Sequence, residues 1–256
     1  MQHQEPQPHA YTLVINTCAP YAPVTLPPLL ASLDMAGFPR SRIVVTCGQC
    51  PGGVAPEVPE ARGVRVVACD YAAEALTGLI ALSERPEDIA GLAPWVLYIQ
   101  DTMMVGERFP QATHEVMRQL EAAPSSSAHP TLCVKLCDVF SLSVGFYSVA
   151  WLRDQDLAEF KASADVDEHG MRQIKTWCED KVFERCPPES TKFLGKWSDR
   201  EMVGTFRYSD EGHERYIEHY PVLDLYKFKS WDGDAQRVGF YRDPDGLERV
   251  KIPVGV

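Results

Sequence analysis

Residues 95–109 read WVLYIQDTMMVGERF. The first five, Trp95, Val96, Leu97, Tyr98 and Ile99, are apolar or aromatic and carry no charge. A strand covered on both faces has this composition, whereas a strand with one wet face alternates. The run stops at Gln100, Asp101 and Thr102. A carboxylate at the tip of a buried strand is costly unless something pairs with it. In open α/β sheets, ligands sit beyond the carboxyl ends of the strands. Asp101 is therefore the first candidate site residue. The alternative is local: Asp101 caps the helix starting near Glu107 or bonds a nearby turn.

Working outward, the same kind of run recurs. Residues 11–16 (YTLVIN), 42–46 (RIVVT) and 64–69 (VRVVAC) read as buried strands, and 132–136 and 139–147 as further strand candidates. Helical spacing of apolar residues predicts helices over 26–35, with Pro27 and Pro28 in a first turn, over 72–83, and over 109–122. Strands alternating with helices predict an α/β fold, a mostly parallel sheet flanked by helices and covered on both faces. Residues 1–10 are polar and read as a flexible leader. The sheet domain is expected over 11–185. Residues 186–256, rich in Pro, Gly, Asp and aromatics without clear periodicity, are expected as an irregular C-terminal extension packed on it. Within that extension, HERYIEHYPVLDLYKFK is expected to form a helix and loop.

The chain has 256 residues and a net charge of −11. Such acidity argues against general nucleic-acid binding, which rests on Lys and Arg neutralising phosphates. No apolar run approaches the roughly 18 residues of a membrane span, so no integral membrane segment is expected. Several of the eight cysteines lie inside apolar runs, where a free thiol behaves as a small hydrophobe. That usage fits a reducing, cytoplasmic compartment. Cys47 and Cys50 form a single C-x-x-C, open to a zinc or redox reading or to plain burial.

Three strand exits line up on one side of the sheet: Thr17, Pro20 and Tyr21 after the first strand, Asp70 and Tyr71 after the third, and Gln100, Asp101 and Thr102 after the fourth. No G-x-G-x-x-G follows the first strand and no Walker-type G-x-x-x-x-G-K occurs, which argues against those phosphate sites. G-x-S-x-G is absent too, which lowers the case for an α/β-hydrolase. Further on, residues 174–183 read IKTWCEDKVF. Adjacent carboxylates point apart on a helix, so one of Glu179 and Asp180 could face a cleft as a general base; the alternative is a surface pair on a charged helix.

Taken together, T-x-x-P after the first strand, then WVLYIQDT, SVGFYS and CEDKVF, resemble the GT-A-type glycosyltransferases, particularly the broad family 2 class, over residues 11–185. In that family a D-x-D-like motif closes the fourth strand, and its last acid binds a divalent metal on the diphosphate of a nucleotide-sugar. Asp101 matches that acid; Ile99 stands in place of the first, with Gln100 between. The resemblance implies that Thr17, Pro20 and Asp70, with Gln100 and Thr102, hold the donor, and that Asp180, or Glu179, is the catalytic base. Gly145 falls where the family often has a glycine beneath the acceptor sugar. The implied cofactor is Mg²⁺ or Mn²⁺, hard cations that favour oxygen ligands, with His213 or His219 as a further ligand. The implied partners are a nucleotide-sugar donor and a hydroxyl acceptor. The expected activity is transfer of the sugar with inversion. The alternative is a catalytically lapsed GT-A-like domain acting as a binding or scaffold module. A nucleotidyltransferase would be expected to carry a Gly-rich basic loop after the first strand, which TCAPYAP is not.

Overall fold

A computed structural model describes residues 11–91, 93–122, 129–138, 144–163, 185–207 and 214–228. In chain order the elements are β1 (Tyr11–Cys18), α1 (Ala22–Met35), β2 (Ile43–Gly48), β3 (Arg65–Ala68), β4 (Tyr71–Ala72), α2 (Thr77–Glu84), α3 (Pro86–Ile89), β5 (Trp95–Gln100), β6 (Met103–Val105) and α4 (Phe109–Glu121). There follow β7 (Cys133–Cys137), β8 (Gly145–Ser148), α5 (Val149–Arg153), β9 (Ala162–Ser163), β10 (Thr191–Gly195), β11 (Glu201–Arg207), β12 (Glu214–Tyr220) and β13 (Leu225–Phe228).

The main sheet has seven strands in the order β10-β7-β8-β5-β1-β2-β3. Only β8 runs against its neighbours, β5 and β7; the remaining pairings are parallel. The all-apolar reading of β5 holds because the pleat sends its side chains into two cores. Leu97 and Ile99 join a cluster with Leu26, Leu29 and Leu33 of α1 and with Phe109 and Met117 of α4. Val96 and Tyr98 join another with Leu79, Ile80 and Leu82 of α2 and with Leu152 of α5. Helices thus cover both faces, as the strand–helix alternation predicts.

Three local readings differ from the sequence expectation. Helix α1 begins at Ala22 rather than Leu26, so Pro27 and Pro28 lie inside it, and Pro23 occupies the first turn, where its missing N–H costs nothing. Helix α2 begins only at Thr77, because Tyr71 and Ala72 pair instead with Ser163 and Ala162. The stretch expected as a helix near its end forms β12 and β13, paired antiparallel through Ile217–Phe228 and Tyr220–Leu225. These two strands, with β11 and β6, build a second sheet in the order β11-β12-β13-β6. Four strands therefore arise beyond residue 186, where periodicity is weak because neighbours such as Ile217, Glu218, His219 and Tyr220 are all buried.

Candidate functional site

The order of strands fixes where a site can lie. From β1 the chain moves outward through β2 to β3, then returns to the opposite side of β1 as β5. The crevice between the carboxyl ends of β1 and β5 is thus the topological switch point, the usual ligand position in such sheets. Asp101 stands there. Its backbone N–H donates to the Asn16 carbonyl at 3.0 Å, which extends the β1–β5 ladder by one rung.

Its side chain is held from two elements. The hydroxyls of Thr17, at the end of β1, and Thr25, in α1, donate to the same oxygen, Oδ2, at 2.6 and 2.7 Å. Thr25 Oγ1 also lies 3.0 Å from the Tyr21 carbonyl, so its single hydrogen is shared between two acceptors. Asp101 nevertheless keeps part of its surface exposed, and β5 runs through the middle of the sheet. It is not the cap of the following helix. The backbone N–H of Arg108, before α4, donates to Asp224 Oδ2 at 2.9 Å instead.

Of the expected donor residues, Thr17, Gln100 and Thr102 come together around Asp101. Gln100 is the register partner of Asn16, and the Thr102 carbonyl accepts the Phe228 N–H at 3.0 Å, which ties the second sheet to the turn carrying Asp101. Pro20 is exposed just beyond β1. Asp70 is exposed in the bend after β3, two strands from β1 and so about 10 Å across the sheet. Glu179, Asp180 and His213 lie outside the described residues. Sequence reasoning missed Thr25; its signal was a lone hydroxyl between Ala22, Leu26 and Leu29 on an apolar helix face. It also missed Asn16, a buried amide closing an apolar strand. Its Oδ1 accepts the Gly78 N–H at 3.0 Å, and that N–H lies 3.2 Å from the Tyr98 hydroxyl.

His219, the other histidine considered as a ligand, is buried with a carboxylate at each ring nitrogen. Nδ1 lies 3.1 Å from Glu201 and Nε2 3.0 Å from Asp224, and Tyr226 stacks on the ring at 4.4 Å. Both nitrogens are thus committed to holding the second sheet together. Gly106 is fixed by the same cluster, since an added Cβ would lie 2.2 Å from an Asp224 oxygen. Cys47 and Cys50 are buried, and the Cys50 sulfur faces the carbonyls of Cys47 and Gly48 at 3.2 and 3.5 Å. Burial, and then the neighbouring Cys50, pushes the Cys47 thiol up. Among the described residues, no group of three or more His, Cys, Asp or Glu side chains could hold a metal ion. Asp101 offers a carboxylate oxygen at the switch point, a hard donor of the kind that suits a cation such as Mg²⁺, which keeps phosphate oxygens and waters as its other ligands. A cavity of about 360 Å³ lies beside the N-terminal half of α1, lined by Ala22, Leu26, Val45, Cys47, Val58 and Val66 among others; Asp101 does not line it.

No family model matches the chain, and no curated protein does. Among solved structures it is similar to S. aureus TarS. The likeness to TarS 1-349 has a TM-score of 0.38 and 10% identity, covering 67% of this chain and 55% of that one. For TarS the TM-score is 0.37 at 12% identity, over 66% of this chain and 34% of the other. For TarS 1-349 in complex with UDP it is 0.36 at 11% identity, over 67% and 55%. The chain thus spans about half the length of the first of these. So distant a likeness carries neither site nor substrate across. Among the described residues, no helix is long and apolar enough to cross a membrane.

Proposed function

We propose that the chain is a glycosyltransferase that moves a sugar from a nucleoside-diphosphate sugar to a hydroxyl acceptor, with inversion and with a divalent cation. The observation that carries this reading is the partly exposed Asp101 carboxylate at the switch point, braced by Thr17 and Thr25. A carboxylate bonded by two hydroxyls is preorganised, and the cost of fixing it is met in folding rather than in binding. Asp101 would hold the cation, and Gln100, Thr102, Thr17, Pro20 and Asp70 would line the donor. Mg²⁺ or Mn²⁺, when bound there, would offset the charge of the departing diphosphate. Asp180, with Glu179 as the neighbouring alternative, would take the proton of the acceptor hydroxyl. His213 would be a further ligand to the cation.

A catalytically lapsed GT-A-like domain, acting as a binding or scaffold module rather than on a nucleotide-sugar, is the second reading. It is favoured by Ile99, which is fully buried where the resembled motif has its first acid. Thermal shift against a panel of nucleoside diphosphates, with and without Mn²⁺, separates the two. Mn²⁺-dependent stabilisation by UDP or GDP supports the transferase, whereas none at millimolar ligand supports the scaffold.

A further inference from the structure

The cavity beside α1 is a second candidate site, built apart from the switch point. Its floor is the outer pair of strands of the main sheet, where Val45 of β2 and Val66 of β3 are register partners. One wall is α1, through the buried Ala22 and Leu26. Thr25, between them in the chain, reaches Asp101 instead, so one helix borders both places. The remaining wall is the segment 55–62, which leads from β2 towards β3. There Ala55, Pro56 and Val58 are half-buried and Ala61 is buried.

The two walls are tied together. Arg40 donates to the carbonyls of Glu60 and Arg62, both at 2.7 Å, and through Nε and Nη2 to the Asp34 carboxylate of α1 at 2.9 and 2.6 Å. The cavity is thus formed in advance of any ligand, as small-molecule sites usually are. Its volume of about 360 Å³ falls at the lower end of the roughly 300–1,000 Å³ usual for such sites, which suits a compact ligand.

The lining is mostly aliphatic, and Cys47 adds an uncharged thiol, since burial pushes it up. Two opposite charges stand at the rim, the exposed Glu57 and Arg62. Neither side chain makes an ion pair among the described residues. A ligand with a single charge meets a like charge at one of them. A ligand with both charges on one carbon, and an apolar group beside them, meets each with its opposite.

We propose that this cavity binds a free apolar α-amino acid, with its side chain against Leu26, Val45 and Val66, its ammonium at Glu57 and its carboxylate at Arg62. Burial of the side chain supplies the affinity. The rim charges, exposed to water, supply the choice of ligand more than the strength. The site does not depend on the transferase reading, because Asp101 does not line it.

The test is an amide NMR titration of the isotope-labelled full chain with L-phenylalanine. Saturable shifts are expected in residues 55–62 and around Val45 and Val66, with a Kd below about 10 mM. Glycine, lacking the apolar group, should bind at least about 10-fold more weakly. Hydrocinnamate and phenethylamine, each lacking one charge, should bind about 3- to 5-fold more weakly. Glu57→Gln should erase the preference over hydrocinnamate, and Arg62→Gln the preference over phenethylamine. Val66→Trp, at a position 41% exposed, fills the cavity from its rim and should abolish the shifts. The proposal is overturned by no saturable shift at about 10 mM, by shifts confined to other parts of the chain, or by shifts undiminished in a folded Val66→Trp. Glycine or hydrocinnamate binding as tightly as L-phenylalanine overturns it too. The rim substitutions alter exposed side chains, so the ligand preference decides the matter even where Val66→Trp does not fold.

Discussion

Thr25 and Asp101 stand 76 residues apart in the chain, yet their side-chain oxygens meet at 2.7 Å. Thr17, 84 residues from Asp101, reaches the same oxygen at 2.6 Å. One carboxylate oxygen therefore holds α1, β1 and the end of β5 to each other. Hydrogen bonds to a charged group contribute more than neutral ones. Thr25→Val, nearly isosteric, is expected to destabilise the fold by about 1–2 kcal/mol, and Thr17→Val by a similar amount. Because the two share one acceptor, their effects should not add. Urea denaturation of the single and double variants measures the coupling; strict additivity would show that the two hydroxyls act independently.

Asp101→Asn separates bracing from charge. The amide oxygen can still accept both hydroxyls, so the loss of stability should stay near about 1–2 kcal/mol. The negative charge is gone, and with it the affinity proposed for a hard cation. Mn²⁺-dependent stabilisation by a nucleoside diphosphate should disappear in this variant. Calorimetry showing unchanged affinity would remove Asp101 from the donor site.

Much of this arrangement was legible in the sequence because burial on both faces leaves a plain mark. β5 and β1 have no charged residue before their tips, and a polar residue ending such a run must be bonded, bound or both. What the sequence hid was tertiary. Thr25 looks like one more residue of a helix until α1 is laid against β5. Strands β12 and β13 show no alternation because the buried Glu218 is bonded by Arg200 and Tyr220, and His219 by Glu201 and Asp224. Partners from distant positions make polar residues admissible inside, and no local pattern announces them. The early start of α1 was hidden by Pro27 and Pro28, which read as a first turn.

Gly145 tests the packing at the middle of the sheet. It opens β8, between Lys135 of β7 and Tyr98 of β5. A Cβ there would lie 2.5 Å from the Val134 carbonyl oxygen and 2.9 Å from the Lys135 Cα. Both are backbone atoms of an interior strand and cannot rotate aside. Gly145→Ala is expected to cost about 3 kcal/mol, read from the urea midpoint. A change within about 0.5 kcal/mol, the range of ordinary surface substitutions, would mean that the β7–β8 pairing yields more than its geometry suggests.

Asp180→Asn addresses the proposed base. Donor binding should stay near normal, since the base meets the acceptor and not the diphosphate. Turnover should fall by about 10²-fold or more, as loss of a general base commonly does. Steady-state kinetics with a competent donor and acceptor, alongside donor calorimetry, gives both quantities. Full activity would move the role to Glu179 or to another carboxylate.

Buried tyrosines set the alkaline limit of the fold. Burial is the leading cause that pushes the phenols of Tyr11, Tyr71, Tyr98, Tyr220 and Tyr226 up. Tyr98 is the extreme case: fully buried, it donates to the Ala75 carbonyl at 2.8 Å and lies under the Gly78 N–H. In the unfolded chain these phenols ionise at about pH 10. Below that pH both states hold the proton, and the stabilisation is present in full. Above it the unfolded chain sheds protons that the folded chain keeps, so stability falls with rising pH and is lost toward the folded values. The urea midpoint should therefore drop steeply above about pH 10. The near-ultraviolet absorbance of the buried phenolates should rise together with loss of the far-ultraviolet dichroism, as one cooperative step. Tyr98→Phe should cost about 1–2 kcal/mol at neutral pH, because the Ala75 carbonyl loses its donor, and should flatten the alkaline slope. Smooth phenolate formation of these five groups near pH 10 with the dichroism intact would mean that water reaches them in the folded protein.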